Sequence, residues 1–246
     1  MWDDARALNA TALVLAGLAV AVLLWGALAW LVRQPAFALR EVVVTTPLER
    51  ASGAHLESVV REELRGTFFT MDLERARTAL AQVPWVRAIA LRRQWPHRLE
   101  IAVEEQSPLA RWNDAGLVNA MGEVFVADWN GELPQFNGPD GQSAAVTARY
   151  RDWTAALAPL ALTIHALTLS ARGGWQIAAV GRTGPLTLEL GRDDPGGRLA
   201  RFIGAHELTT GLLARAGRPV EQVDLRYRNG FAARIPGFRE KPARKS

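Results

Sequence analysis

The sequence of 246 residues contains no cysteine, so a disulfide framework, a thiolate nucleophile and a zinc–thiolate site are all excluded. Lysine is nearly as rare, since only Lys241 and Lys245 occur and every other basic residue is an arginine. Such a skew, in a chain rich in alanine and leucine, is typical of a GC-rich coding bias rather than of selection for phosphate contacts. We therefore predict no nucleic-acid partner, although the formal net charge is +4.

Sequence motifs of catalysis are missing as well. The chain has no glycine-rich phosphate loop, no G-x-S-x-G turn and no H-E-x-x-H motif. A Ser-His-Asp triad assembled in space stays open, because its members need not be neighbours in sequence. We predict no enzyme, no cofactor, no metal site and no small-molecule substrate. The four histidines are scattered and lack the spacing of metal ligands: His55, His97, His165 and His206.

One long apolar segment is present. Residues 8–32 (LNATALVLAGLAVAVLLWGALAWLV) carry no charge, and a helix needs about 20 apolar residues to cross a bilayer core of about 30 Å. Trp25 and Trp30 stand near the end of the segment, where indole rings favour the membrane interface. We predict a transmembrane helix over residues 8–32, preceded by a short tail at residues 1–7.

A cleaved signal peptide is the rival interpretation of this segment, since residues 27–29 (ALA) resemble a cleavage site. The apolar run is longer than the 7–15 residues or so of a signal sequence, and the preceding residues 1–6 (MWDDAR) are not basic. A retained anchor is therefore favoured. Loop charge alone mildly favours a cytoplasmic C-terminal part, because Arg33 and Arg40 follow the span.

The next seventy residues or so, 37–106, predict a β-α-α-β-β unit. Residues 37–44 are rich in strand formers, and residues 55–64 and 70–83 show helical spacing of apolar side chains. Two strands follow on either side of a turn at residues 94–97 (QWPH).

Residues 107–236 predict an antiparallel sheet with helices on one face. Short runs of strand formers alternate with turn signals, and two segments have helical character, residues 144–157 and 196–214. Asp193 or Asp194 can cap the second helix. The polar, basic residues 237–246 predict a disordered tail. The strand candidates are residues 109–112, 117–119, 123–127, 167–171, 175–180, 186–190, 223–227 and 231–235.

Residues 83–112 (VPWVRAIALRRQWPHRLEIAVEEQSPLARW) closely resemble the characteristic stretch of the FtsQ/DivIB cell-division family. Residues 117–125 (LVNAMGEVF), 133–138 (LPQFNG) and 223–230 (VDLRYRNG) resemble the family as well. The resemblance covers nearly the whole chain. It implies an α+β protein with one N-terminal transmembrane helix, a POTRA domain at residues 37–106 and a β-domain at residues 107–236.

The resemblance also implies a location and partners. Family members cross the bacterial inner membrane once, with the N-terminus in the cytoplasm and both soluble domains in the periplasm, and concentrate at the division septum. They form a complex with the small division proteins FtsB and FtsL and help to recruit septal wall-synthesis proteins at midcell. Two other classes remain as alternatives: a membrane-anchored periplasmic envelope hydrolase, and a POTRA-type assembly or translocation factor.

Within the POTRA region, Trp85 and Trp95 have two interpretations. They fill or cover the core of the domain, or they form an exposed docking patch for a partner. Glu104 and Glu105 point to opposite faces of a strand, so they cannot share one substrate atom. We predict that both glutamates are solvated charges at the end of the strand.

The C-terminal hairpin is the main candidate site, because the resemblance assigns FtsB binding to the end of the β-domain. The Asn229-Gly230 pair between two strand-like runs is a strong hairpin signal. A final strand at a sheet edge can accept a partner strand by β-augmentation. The alternative is that the aromatic and aliphatic side chains of the hairpin only close the core. The predicted FtsB-binding residues are Arg226, Tyr227, Asn229, Gly230, Phe231, Ala233 and Ile235.

Overall fold

The computed structural model describes residues 5–64, 66–114, 116–227 and 230–236. The predicted tail at 237–246 and Asn229 lie outside the described residues, as do the first four residues. The chain divides into two compact units, Met1–Gln106 and Ser107–Ser246.

The N-terminal helix α1 runs from Ala5 to Leu31. Its stretch Asn9–Leu31 is long and apolar enough to cross a membrane. These 23 residues extend over about 34 Å at 1.5 Å per residue, which matches a hydrocarbon core of about 30 Å. No part of this stretch is buried by the rest of the protein. A short 3₁₀ turn, Pro35–Phe37, follows the helix.

The first unit has the predicted β-α-α-β-β order: β1 Glu41–Val44, α2 Gly53–Glu63, α3 Leu73–Leu80, β2 Val86–Gln94 and β3 Arg98–Glu105. Its three strands lie in the order β1-β3-β2, with β1 parallel and β2 antiparallel to the central β3. Apolar residues alternate with polar or small ones in β3, and this pattern gives the strand one buried face. Leu99, Ile101 and Val103 are buried, and the residues between them are not. Side chains cap both helices: Ser52 accepts a hydrogen bond at the start of α2, and Asp72 does so at the start of α3.

In its described residues, the second unit is built on one sheet of nine strands, which confirms the α+β class. The strand order is β12-β11-β10-β9-β8-β7-β4-β5-β6. Helices α4 and α5 contribute buried side chains to the core of this unit. The elements are β4 Pro108–Trp112, β5 Gly116–Asn119, β6 Val124–Phe125, β7 Gln135–Asn137, α4 Ser143–Leu157, β8 Thr163–Leu169, β9 Trp175–Gly181, β10 Gly184–Gly191, α5 Pro195–His206, α6 Thr210–Arg215, β11 Gln222–Asp224 and β12 Ala232–Arg234.

Two details of the second unit differ from the sequence prediction. The sheet is mixed rather than antiparallel throughout, because β4–β7, β7–β8 and β10–β11 pair in parallel. The helix predicted over residues 196–214 is two helices, since the backbone tightens between them. There Leu208 N donates to Ala205 O and Thr209 N donates to His206 O, each a step of three residues instead of four.

Candidate partner-binding surfaces

The C-terminal hairpin forms one edge of the nine-stranded sheet. Strand β12 pairs antiparallel with β11, with Ala233 opposite Val223, and β11 pairs in parallel with β10. Among the described residues, no strand pairs with the outer side of β12. The backbone groups of that side are therefore available to a further strand.

The side chains of the hairpin divide into core contacts and exposed groups. Phe231 and Ile235 are half-buried and pack against the core of the second unit. The ring of Phe231 meets that of Phe202 edge-on, with 6.3 Å between centroids. Ala233 lies between them and is exposed, as is Gly230. Phe231 and Ile235 thus hold β12 against the domain, while the middle of the strand stays open.

Tyr227 and Arg226 precede the turn of the hairpin. Tyr227 is 57% exposed, so its ring is free of the core. Arg226 makes a two-pronged contact with Asp224, in which Nε and Nη2 donate at 2.9 and 2.7 Å. This hydrogen bond lowers the pKa of Asp224, and the carboxylate raises the pKa of Arg226. Arg226 is thus already paired within the chain.

The two tryptophans of the first unit have different environments. Trp85 is half-buried, packs against the core and lies under the Arg50 guanidinium, 5.8 Å from its ring centroid. Trp95 is 73% exposed at the turn between β2 and β3. Trp85 therefore fits the interpretation as a core residue, whereas Trp95 is exposed enough to contact a partner.

Glu105 is not the solvated charge that the sequence predicts. Its carboxylate accepts hydrogen bonds from the backbone N–H groups of Ala51 at 2.7 Å, Arg50 at 3.1 Å and Glu49 at 3.2 Å. Burial alone raises the pKa of Glu105, but these donors and the Arg50 charge lower it below its ordinary value. Glu104, by contrast, faces outward and pairs with Arg87 at 2.6 Å.

A cavity of about 320 Å³ lies beside α6 in the second unit, lined by polar and apolar side chains. His206 Nδ1 and Thr210 Oγ1 are 2.8 Å apart at its wall, and Arg215 pairs with Glu207 at 2.9 Å. Burial lowers the pKa of His206 below its ordinary value, which favours the neutral form of its imidazole. The polar side chains of the two pairs, His206 with Thr210 and Arg215 with Glu207, are thus each already bonded to a partner within the chain.

No group of three or more acidic or histidine side chains suited to a metal ion occurs in the described part of the chain. What the second unit offers instead is an ordered sheet edge next to an exposed tyrosine. An open sheet edge can take up an extended segment of another protein through main-chain hydrogen bonds. Together with the apolar helix, it defines a class: a protein with one candidate membrane-spanning helix followed by two α+β units, the last of them ending in an open edge.

Comparison with known proteins gives the family. Residues 37–106 match the POTRA domain of FtsQ type, and residues 110–226 match the C-terminal domain of the cell division proteins FtsQ/DivIB. The chain belongs to the FtsQ/DivIB family of cell division proteins.

Several curated relatives cover almost the full length. Cell division protein FtsQ of Burkholderia pseudomallei is 39% identical over 97% of this chain and 96% of its own length. The FtsQ proteins of Bordetella pertussis and Nitrosospira multiformis are 38% and 36% identical, over 94% and 95% of this chain and 92% and 99% of their own. The matched C-terminal domain ends at residue 226, so β12 lies beyond it.

Sequence reasoning missed two contacts near these surfaces. The Asp224–Arg226 pair leaves a weak signal in the sequence, because an acidic and a basic residue stand two positions apart. The Glu105 contact leaves no local signal, because its donors lie 54 to 56 residues earlier in the chain.

Proposed function

We propose that this protein is a non-enzymatic scaffold of the division machinery that binds FtsB through its C-terminal sheet edge. Helix α1 holds it in the inner membrane, with the N-terminus in the cytoplasm and both units in the periplasm. Through FtsB it joins FtsL, and the complex helps to bring septal wall-synthesis proteins to midcell. Family membership supports the division role, and the apolar length of α1 supports the anchor.

The observation that carries the FtsB proposal is the edge position of β12. A strand from a partner gains affinity from main-chain hydrogen bonds along such an edge and specificity from alternate side chains. Exposed Tyr227 supplies an aromatic anchor beside the edge. Arg234, exposed on β12 itself, favours an acidic side chain on the partner strand.

Binding of a peptide from the C-terminal part of FtsB, measured by calorimetry with the full-length chain in detergent, tests this proposal. We expect Tyr227→Ala to weaken binding at least tenfold, because truncation of an aromatic anchor costs about 2 kcal/mol or more. The fold should persist, since this side chain lies outside the core. Phe231→Ala should weaken binding too, but it should also lower the thermal midpoint because its ring packs on Phe202.

A matched control comes from the opposite edge of the same sheet. Val126 follows β6 and is 75% exposed, so Val126→Ala should leave both folding and FtsB binding unchanged. Wild-type affinity in folded Tyr227→Ala and Phe231→Ala variants would refute the edge proposal. A loss of binding in Val126→Ala as well would show that the effect is not specific to β12.

The POTRA domain is proposed to support localisation, with Trp95 and the half-buried Trp85 as candidate docking residues. The exposure of Trp95 supports this role. A chain that lacks residues 37–106 but keeps α1 and the second unit should fail to concentrate at midcell in a depleted strain. Trp95→Ala should show the same defect in a milder form. Normal midcell fluorescence of a stable deletion protein would contradict the proposal.

The topology can be tested separately. Reporter fusions that are active only in the periplasm should be active when placed after Val32 and at Ser246, and the mature N-terminus should remain Met1. Activity of a cytoplasmic reporter at both positions would refute the orientation. A new N-terminus near Trp30 would refute the retained anchor.

A further inference from the structure

The chain just after helix α1 is hydrogen-bonded to a loop of the β-α-α-β-β domain. The Thr67 hydroxyl donates to the carbonyl oxygen of Val32, the residue that follows the apolar span, at 2.7 Å. Phe68 N donates to Phe37 O at 2.7 Å, and Ala38 forms a bridge with Thr67. The loop at residues 66–70 is therefore fastened to the point where the chain leaves the membrane helix.

This loop carries an aromatic side chain that lies outside the core of the domain. Phe69 is 46% exposed, although its neighbour Phe68 is buried. The Phe69 ring meets that of Phe37 edge-on, with 5.2 Å between centroids, and that of Phe68 at 5.3 Å. The Phe37–Phe69 pair thus forms one apolar projection beside the end of α1.

The height of this projection above the membrane core follows from chain geometry. Val32 is the first residue past the span, and Phe37 closes the 3₁₀ turn five residues later. The 3₁₀ turn itself, Pro35–Phe37, rises about 6 Å at about 2 Å per residue, and the five residues from Val32 to Phe37 span about 18 Å at most if fully extended. Thr67 contacts Val32 directly, and Phe69 is two residues further, within about 7 Å. The polar headgroup layer is about 5–8 Å deep on each side, which is the same size as the reach from Thr67 to Phe69, so the Phe69 ring can lie at the depth of the headgroups.

Neighbouring residues fit the same environment. Trp30, at the end of the span, is 66% exposed, and indole rings favour the membrane interface. Arg33 and Arg40 are exposed on either side of Phe37, where guanidinium groups can meet lipid phosphates. The carbonyl of His97 accepts from Arg40 N at 3.0 Å, which places the β2–β3 turn with Trp95 at this end of the sheet. A partner that docks at Trp95 would therefore do so close to the bilayer.

We propose that the Phe37–Phe69 pair is a second membrane-contact site that seats the POTRA domain on the bilayer surface beside helix α1. The occupant is the interfacial layer of the lipid, because the pair is continuous with a helix whose span is apolar and unburied. This membrane contact would fix the direction in which the POTRA domain presents exposed Trp95 to a partner. The inference rests on the proposed function in one respect, namely that α1 spans a membrane.

The absence of cysteine makes the test clean, because single cysteines can be labelled without a prior background substitution. Spin labels are placed at Phe69→Cys, at Leu23→Cys within the span and at Ala88→Cys in β2 of the full-length chain. Each variant is reconstituted into nanodiscs of phosphatidylcholine and phosphatidylglycerol with one copy per disc. Relative access of oxygen and of a water-soluble nickel chelate then reports the depth of each label.

The control positions separate the possible failures. Leu23 is 72% exposed within the span, so its label must lie in lipid if α1 crosses the membrane. Ala88 is exposed and lies opposite Glu104 in the sheet. Glu104 is six residues along β3 from Arg98, which marks the membrane end of the strand, so the label at position 88 lies about 20 Å from that end. We expect the label at position 69 to favour oxygen over the chelate at least threefold relative to the label at position 88. Equal access at 69 and 88 with a buried label at 23 would overturn the inference alone, whereas a water-exposed label at 23 would overturn the anchor.

A second measurement uses the unsubstituted chain, so that it does not depend on the folding of Phe69→Cys. Nanodiscs that contain a phospholipid with a diazirine at the headgroup are irradiated, and the digested protein is analysed by mass spectrometry. The tryptic peptide of residues 66–75 should carry lipid adducts at least fivefold more often than that of residues 88–92. Equal labelling of the two peptides would overturn the membrane seat.

Discussion

The Glu105 carboxylate gives the sharpest stability prediction. It accepts three backbone N–H groups from the turn that leads into α2, and it stands at the end of the central strand β3. The contact therefore joins two parts of the POTRA domain that are separated by most of its sequence. Glu105→Gln keeps the shape of the side chain but removes the charge and one acceptor oxygen.

The magnitude follows from the type of bond. Hydrogen bonds to charged groups contribute about 1.5–3 kcal/mol where they are shielded from water, and neutral ones about 1 kcal/mol. The Glu105 side chain is only partly covered, so solvent screening reduces the gain. We expect Glu105→Gln to lower the free energy of unfolding by about 1–2 kcal/mol. A loss of that size corresponds to roughly tenfold faster hydrogen exchange at residues 49–51 when the turn opens.

The same contact predicts a dependence on pH. The pKa of Glu105 is lower in the folded chain than its ordinary value of 4.5, so the unfolded chain binds the proton more readily. The stabilisation is therefore complete at pH values above 4.5 and is lost as the pH falls through the lowered pKa. The difference between wild type and Glu105→Gln should be full at pH 7 and should shrink below pH 4.5.

Hydrogen exchange and urea unfolding of the full-length chain in detergent measure both effects. Glu104→Gln is the matched control, because the same change one residue earlier affects only a surface pair with Arg87. Exchange at residues 49–51 that is as slow in Glu105→Gln as in Glu104→Gln would refute the reasoning. So would a stability difference that stays constant from pH 7 to pH 3.

Three further predictions use the same detergent preparation. Thr67→Val should speed exchange at residues 66–71 by about fivefold, because a hydrogen bond worth about 1 kcal/mol to Val32 is lost, and Thr67→Ser should restore protection. Burial lowers the pKa of His206, so wild type should lose thermal stability as the pH falls below about 6.5, and His206→Gln should lose less. Asp224→Asn should free Arg226 and speed exchange in the C-terminal hairpin while the overall thermal midpoint stays the same.

The first unit could be predicted from sequence because its signals are local. Leu99, Ile101 and Val103 alternate with solvent-facing residues in β3, and the capping residues Ser52 and Asp72 mark where the helices begin. The order of elements, with the QWPH turn between the last two strands, was therefore correct. Local patterns could not predict the Glu105 contact, because its hydrogen-bond donors lie in a turn that is distant in sequence and comes close only in the folded domain.

The second unit was harder to predict because one of its inner strands is short and its pairings are non-local. Strand β7, Gln135–Asn137, has one apolar residue, Phe136, which is fully buried in the core. It pairs in parallel with β4 and β8, and α4 supplies the crossover between β7 and β8. A strand of three residues has no measurable periodicity, so the sequence could predict neither it nor the mixed character of the sheet.

The arrangement of β12 explains why this edge, rather than the one at β6, is the better candidate for a partner strand. An edge that is ordered before binding saves the entropy of ordering it in the complex. Phe231 and Ile235 flank β12 on both ends and pack against the core, so the strand between them is fixed, while its outer edge carries no partner strand in the described residues. Strand β6 has two residues, of which Val124 is exposed, and it is followed by exposed Val126. The larger preorganisation of β12 therefore favours β-augmentation there, and it predicts that loosening Phe231 weakens binding even though its ring faces away from the partner.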